Sequence, residues 1–299
     1  MNDHYFKITY HVPVALAEEF EALLSEELLE QAVIEDYRDV LDAVHGDIDA
    51  LPDDYQRYSG IVRISFFFEE ESSADSCVKE LRGRAVRFNA EVVRETVSTS
   101  LFPLTTDIGS QFTVVYAENS HSYTGDRVPI ILTTSQIFGT GTHPTTRLMT
   151  DMMERFIVKG SIVVDAGAGS LILSLIAVKL GAQKVMAFDI ADNFLLVAHD
   201  VAGLNGCDNL LPVQGDQFAF MRQCPEWNTA DIILINMLPQ ETIPVLRSFV
   251  PFVNVGTYFL LSGFIASKED EYQPVFRDLG LHILHREERA GWLAFVVKK

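Results

Sequence analysis

Ser161-Ile-Val-Val-Asp165-Ala-Gly167-Ala-Gly169-Ser170 is the stretch that decides the fold. Its β-branched, apolar first half predicts a buried strand, and the glycine pair then turns the chain tightly. Residues 171–180 continue as an apolar helix that Gly181 stops. A strand that runs through glycines into a helix start presents free backbone N–H groups to an anionic or polar ligand. The next predicted strand, 184–189, ends in Asp189, 22 residues after Gly167. A carboxylate there can accept both hydroxyls of a ribose. The nicotinamide fingerprint fails, because its third glycine would fall on Ile172 and an apolar residue usually stands where Asp165 does.

Outward from this turn the pattern repeats. A helix is expected over 193–204, strands over 210–213 and 231–236, a helix over 240–249, a strand around 258–261 and a helix over 268–279. Two terminal strands follow, around 281–285 and 292–297, separated by a short turn. Alternating strands and helices imply a mostly parallel sheet covered on both faces, and the short last turn implies an antiparallel closing hairpin. Towards the N-terminus the texture differs. A strand over 5–11, a helix over 14–29, a strand over 62–68, a short helix near 75–82 and a strand drawn from 86–97 make a small α+β sandwich of the ferredoxin-like, split β-α-β type. The expected organisation is therefore an α+β domain (1–97), a polar linker (98–129) with a short β pattern at 112–116, and a Rossmann-like α/β domain (130–299). Residues 38–60 read as an acidic loop or insertion.

Charge is distributed unevenly. Residues 1–80 hold 20 acidic side chains against 5 basic ones, most of the net charge of −19. Direct binding of this part to nucleic acid would meet repulsion instead of gaining counterion release, whereas a basic protein partner suits it. Three scattered cysteines, Cys77, Cys207 and Cys224, form neither a disulfide framework nor a zinc site, so no metal is expected. The start carries no signal-peptide pattern, and the apolar window 249–266 is interrupted by Pro251, Asn254 and Gly256. A cytoplasmic protein without a membrane span is expected.

Ile137-Phe-Gly-Thr-Gly-Thr-His-Pro-Thr-Thr146 stands just before the first strand of the sheet. Pro144 suits the first turn of a helix that Thr142 or His143 could cap, and His143 reads as a capping residue before it reads as a general base. Asp165-x-Gly-x-Gly with Asp189 resembles the first motifs of class I S-adenosylmethionine methyltransferases. The 137–146 run resembles the signature of the methyltransferases that modify ribosomal protein L11 of the large subunit. The likeness continues through Asn236-Met-Leu-Pro239, Leu261-Ser-Gly-Phe-Ile265 and Gly291-Trp-Leu-Ala-Phe-Val296, and covers about residues 130–299.

That resemblance implies S-adenosylmethionine as cofactor and methyl transfer to lysine and N-terminal amino groups of a ribosomal protein gripped by the N-terminal domain. It implies that Thr145 and Thr146 contact the cofactor, that Gly167 and Gly169 line its methionine part, and that Asp189 holds the ribose. Asn236 would stand beside the sulfonium and the incoming amine, as catalytic residue and cofactor contact, and Phe138 and Thr140 would help close the site. The family loop usually continues Gly-x-Gly-Ser-Gly, whereas this chain has Leu171 in the last place, where a leucine could crowd the cofactor or the loop above it, and whether it does stays open at this level. Two other readings stay open at this level: a weakly active or inactive binding module on the same fold, and a methyltransferase for another protein or a small molecule.

Overall fold

A computed structural model describes residues 4–21, 24, 33–35, 61–68, 70–98, 105–133, 141 and 143–299. The chain divides into two compact units, Met1–Pro103 and Leu104–Lys299. In the first, β1 (His4–Pro13) leads through a 3-10 turn into α1 (Ala17–Glu21). Then follow β2 (Val33–Glu35), β3 (Ile61–Phe68), α2 (Glu71–Arg87) and β4 (Glu91–Ser98). The strands form one antiparallel sheet in the order β2-β3-β1-β4. Ile8, Tyr10 and Val12 alternate inward on β1, and Val62, Ile64 and Phe66 do so on β3. Ala74, Cys77, Leu81 and Ala85 of α2, followed by Phe88, close the core at helical spacing.

Two expectations change here. The helix near 75–82 extends over Glu71–Arg87, and the strand drawn from 86–97 begins only at Glu91. Val86, the apolar residue that suggested an earlier strand, is 80% exposed on the last turn of α2. The helical stripe runs on to Ala85 and Phe88 and overrides its β propensity. Most of the expected helix 14–29 and the acidic stretch 38–60 lie outside the described residues.

The second unit begins with β5 (Thr105–Ile108), β6 (Phe112–Tyr116) and β7 (Val128–Leu132). They make a three-stranded sheet of their own, β5 antiparallel and β7 parallel to β6. Much of the segment expected as a linker (98–129) is thus folded and belongs to the second unit. Glu154 holds its β5–β6 turn by accepting from the backbone N–H groups of Ser110 (2.9 Å) and Gln111 (3.0 Å). Asn205 holds β7, accepting from Ile131 N at 2.9 Å and donating to Ile131 O at 2.7 Å and Val201 O at 2.8 Å.

The main sheet follows: α3 (Pro144–Phe156), β8 (Ile162–Ala166), α4 (Ile172–Lys179), β9 (Lys184–Asp189), α5 (Phe194–Asn205), β10 (Leu210–Gln214), α6 (Gln217–Gln223), β11 (Ile232–Asn236), α7 (Pro239–Phe249), β12 (Tyr258–Ile265), α8 (Glu269–Asp278), β13 (His282–Arg289) and β14 (Trp292–Lys298). Its seven strands run in the order β10-β9-β8-β11-β12-β14-β13. Strands β8 to β12 pair in parallel, while β14 pairs antiparallel with both β12 and β13. The expected parallel sheet with a closing hairpin is what forms. One part of the core stacks Phe188 on Phe220 and Trp227 on Phe249, at ring separations of 4.7 and 4.5 Å. Another sets Phe264 against Tyr272, Phe276 and Phe295. Each large buried apolar side chain contributes about 1.5–3 kcal/mol. Helix α4 is buried from Ile172 to Ala177, packed on β9, α3 and β7, which is why its sequence is apolar all round. Strand order reverses between β8 and β11, so the C-terminal ends of these strands frame a crevice of the kind in which open α/β sheets bind ligands.

Candidate active site

Three loops meet at this crevice. The turn after β8 places Gly167 (φ +68°), Gly169 (φ +48°) and Leu171 (φ +65°) in the left-handed region. Gly167 N and Ala168 N both donate to Phe188 O at 3.0 Å, which fastens the turn to the end of β9. Asp189 completes the fastening. Its Oδ2 accepts from Gly169 N at 2.8 Å, its Oδ1 from Ala191 N at 3.0 Å, and its backbone carbonyl from Gly215 N at 2.8 Å. Each carboxylate oxygen keeps a second lone pair. A Cβ at Gly169 would meet nothing within 4 Å, so this part of the turn is an open backbone surface. Bare peptide beside an oriented carboxylate fits the adenosine and amino-acid portions of a nucleoside-bearing cofactor.

Asp165 lies beneath the turn with 1% exposure, and Ser174 Oγ donates to its Oδ2 at 2.6 Å. Burial pushes this carboxyl up to about 6, the Ser174 hydrogen bond opposes the rise and the charge of Asp189 adds to it. Leu171 does not stand in the open cradle. Its side chain is fully buried and packs with Ala168, Ala187, Phe194 and Ala198, under α5. The left-handed backbone turns the side chain into the core, away from the open face of the turn.

Across the crevice, Asn236 ends β11, half-buried and in register with Ser262 of β12. Met237 follows it, with its carbonyl accepting from Thr242 Oγ1 at 2.9 Å. Pro144 opens α3, as expected, and His143 caps it. His143 Nδ1 accepts from Thr145 N at 3.3 Å, lies 2.7 Å from Thr145 Oγ1, and the ring meets Trp292 edge-on. Thr145 and Thr146 are buried in this first turn, and α3 packs on α4, β11, β12 and β14. Gly141 is buried too; a Cβ on it would stand 3.0 Å from Val114 and 3.3 Å from Ile172. Phe138, Thr140 and Thr142 lie outside the described residues.

Of the residues read from sequence, Gly167, Gly169 and Asp189 are joined by short contacts, and Asn236 is joined to the turn through its neighbour, since Met237 packs against Gly167. Thr145 and Thr146 are placed by α3. Sequence reading missed Met237, Ser174, Gly215 and Gly263. Met237 and Gly263 lie in stretches that carry the family likeness, but only Gly263 had a physical signal of its own, an isolated glycine inside a strand pattern. Among the described residues no His, Cys, Asp or Glu group could hold a metal ion and no helix is long and apolar enough to cross a membrane.

A seven-stranded sheet in which only the last strand of the chain, β14, runs antiparallel, inserted between β12 and β13, together with a glycine turn and an acid at the second strand end, defines a class I methyltransferase fold. The family model described as ribosomal protein L11 methyltransferase (PrmA) matches residues 4–299, and the chain belongs to that family. A curated relative from Symbiobacterium thermophilum, named ribosomal protein L11 methyltransferase, is 31% identical over 194 residues, covering 65% of this chain and 62% of its own. One of the same name from Listeria monocytogenes is 27% identical over 192 residues, covering 64% and 60%. The chain thus spans about three fifths of the length of these relatives. A solved structure described as ribosomal protein L11 methylase, from Lactobacillus delbrueckii subsp. bulgaricus, shares the fold with a TM-score of 0.58 at 23% identity, over 65% of this chain and 98% of that one.

Proposed function

We propose that this chain is an S-adenosylmethionine-dependent protein methyltransferase that modifies lysine and N-terminal amino groups of ribosomal protein L11. The observation that carries the reading is the Asp189 carboxylate, tied by Gly169 N–H at 2.8 Å to the glycine turn at the point where strand order reverses. Family membership supplies the substrate class. The cofactor, when bound, provides a methyl group already activated by the sulfonium, so the chain has mainly to align donor and amine. Asp189 would hold the ribose hydroxyls, and the backbone at Gly167 and Gly169 would admit the methionine part. Thr145 and Thr146 would contact the cofactor from α3, while Phe138 and Thr140 would help close the site. The amine must arrive neutral, against a reference lysine pKa of about 10.4. Asn236 is an uncharged acceptor and can orient the amine without fixing it as a cation. The acidic excess in residues 1–80 suits a basic ribosomal protein and opposes direct contact with nucleic acid. We assign substrate recognition to residues 1–97 and place the reaction in the cytoplasm.

Calorimetry with S-adenosylmethionine and methyl transfer to purified L11, read by mass spectrometry, test this. Asp189→Ala should abolish donor uptake. Asn236→Ala should lower turnover by about 10²-fold, the scale of a lost alignment, while donor affinity weakens only partly. A parent protein that takes up no donor is instead a binding module. Donor uptake without methylated L11 moves the substrate elsewhere.

A further inference from the structure

Met237 spans three strand ends. Its thioether lies over Gly167 at the end of β8, where a Cβ would stand 2.4 Å from Sδ. Its carbonyl lies over Gly263 in β12, where a Cβ would stand 2.1 Å from Met237 O, 2.6 Å from its carbonyl carbon and 3.3 Å from Leu238 N. The strands β8, β11 and β12 are neighbours, so the residue after β11 is clasped from both sides by glycines. Gly263 sits in a bulge: β12 and β14 pair up to Ser262↔Ala294 and resume at Phe264↔Leu293. Its φ is +97°, and the preceding residue, Ser262, is the register partner of Asn236. No side chain fits at 263 unless the 237–238 peptide moves away, and Asn236 is bonded directly to that segment.

We propose that Gly263 is a positioning residue for Asn236, acting through the peptide of Met237. The bare Cα at 263 lets the chain after β11 settle low enough for Asn236 to face the crevice, and Thr242 Oγ1 pins the same carbonyl from above. The catalytic consequence rests on the proposed role of Asn236; the structural half does not.

The experiment compares Gly263→Ala with Gly256→Ala in the full chain. Gly256 has a similar φ of +105° but nothing within 4 Å of a Cβ, so it controls for backbone strain alone. The side-chain amide signals of Asn236, assigned through Asn236→Ala, are followed by NMR, alongside kcat, KM for L11 and donor affinity. Gly263→Ala should move the Asn236 signals and lower kcat by about 10²-fold, with donor affinity within about threefold. Gly256→Ala should change none of these. Unmoved Asn236 signals, or a kcat loss matched by a loss of donor binding, would overturn the proposal. Should Gly263→Ala not fold, Thr242→Val loosens the same carbonyl without added bulk and must produce the same shift and kcat effect, smaller in size. A parent that binds no donor defeats the functional reading, while the NMR comparison still decides whether Gly263 sets Asn236.

Discussion

Asp165 holds a carboxylate where water scarcely reaches, so its proton is retained in the folded chain to about pH 6, whereas the unfolded chain releases it near 4. Between these values the native state binds more protons than the unfolded state. Stability contributed by this site is therefore full below about pH 4 and is lost as pH rises through 6, a loss of about 3 kcal/mol at neutrality. Asp165→Asn should remove that falling component. Urea unfolding of both proteins from pH 4 to 7 should show the variant gaining on the parent as pH rises, and a constant difference would reject the assignment. Leu171 makes a second test. Its left-handed backbone costs about 1–2 kcal/mol for a residue with a Cβ, while its buried side chain contributes more. Leu171→Ala keeps the strain and loses the packing; Leu171→Gly loses the packing and relieves the strain. Glycine should thus be less damaging than alanine by about 1 kcal/mol, the reverse of their order in a helix. Neither should shift donor affinity more than about threefold if the side chain's place is under α5.

At the scale of elements, one amide fills the open edge of β7, whose other edge pairs with β6. Asn205 satisfies both the N–H and the carbonyl of Ile131 from the end of α5, as a neighbouring strand would. Asn205→Ala leaves both partly buried groups without that partner, at about 0.5–1.5 kcal/mol for each lost hydrogen bond. Hydrogen exchange at the Ile131 amide should accelerate before that of β8; equal acceleration throughout would show a global effect. The same three-stranded sheet explains what sequence conceals. Strands β8 to β11 are legible because their apolar runs end at glycine, asparagine or aspartate. Thr105-Thr-Asp-Ile108 has no such run, and becomes β5 only because β6 pairs with it and Glu154 holds its turn. The site divides in the same way. Gly167 and Gly169 can be read because they follow β8 directly, and Asp189 because it ends β9. Met237 cannot, because what fixes it comes from Gly167 and Gly263, far away in sequence and on opposite flanking strands.

For the whole molecule, acid concentrated in residues 1–80 against a nearly balanced remainder makes long-range attraction a property of one end of the chain. Under the proposed function, KM for L11 should rise severalfold as salt shortens the Debye length to about 10 Å at 0.1 M, with donor affinity nearly unchanged. Parallel salt dependence of both would place the effect in the crevice instead. The sheet order has a consequence for synthesis. Trp292–Lys298 is an inner strand, threaded between β12 and β13 and buried from Trp292 to Val297. Until those residues emerge from the ribosome, the nascent polypeptide holds an unfilled slot beside Phe264 and Phe276, two rings that Phe295 will cover. The N-terminal unit can close early, but this half waits for its last-made strand, and in that interval a chaperone has an aromatic surface to shield.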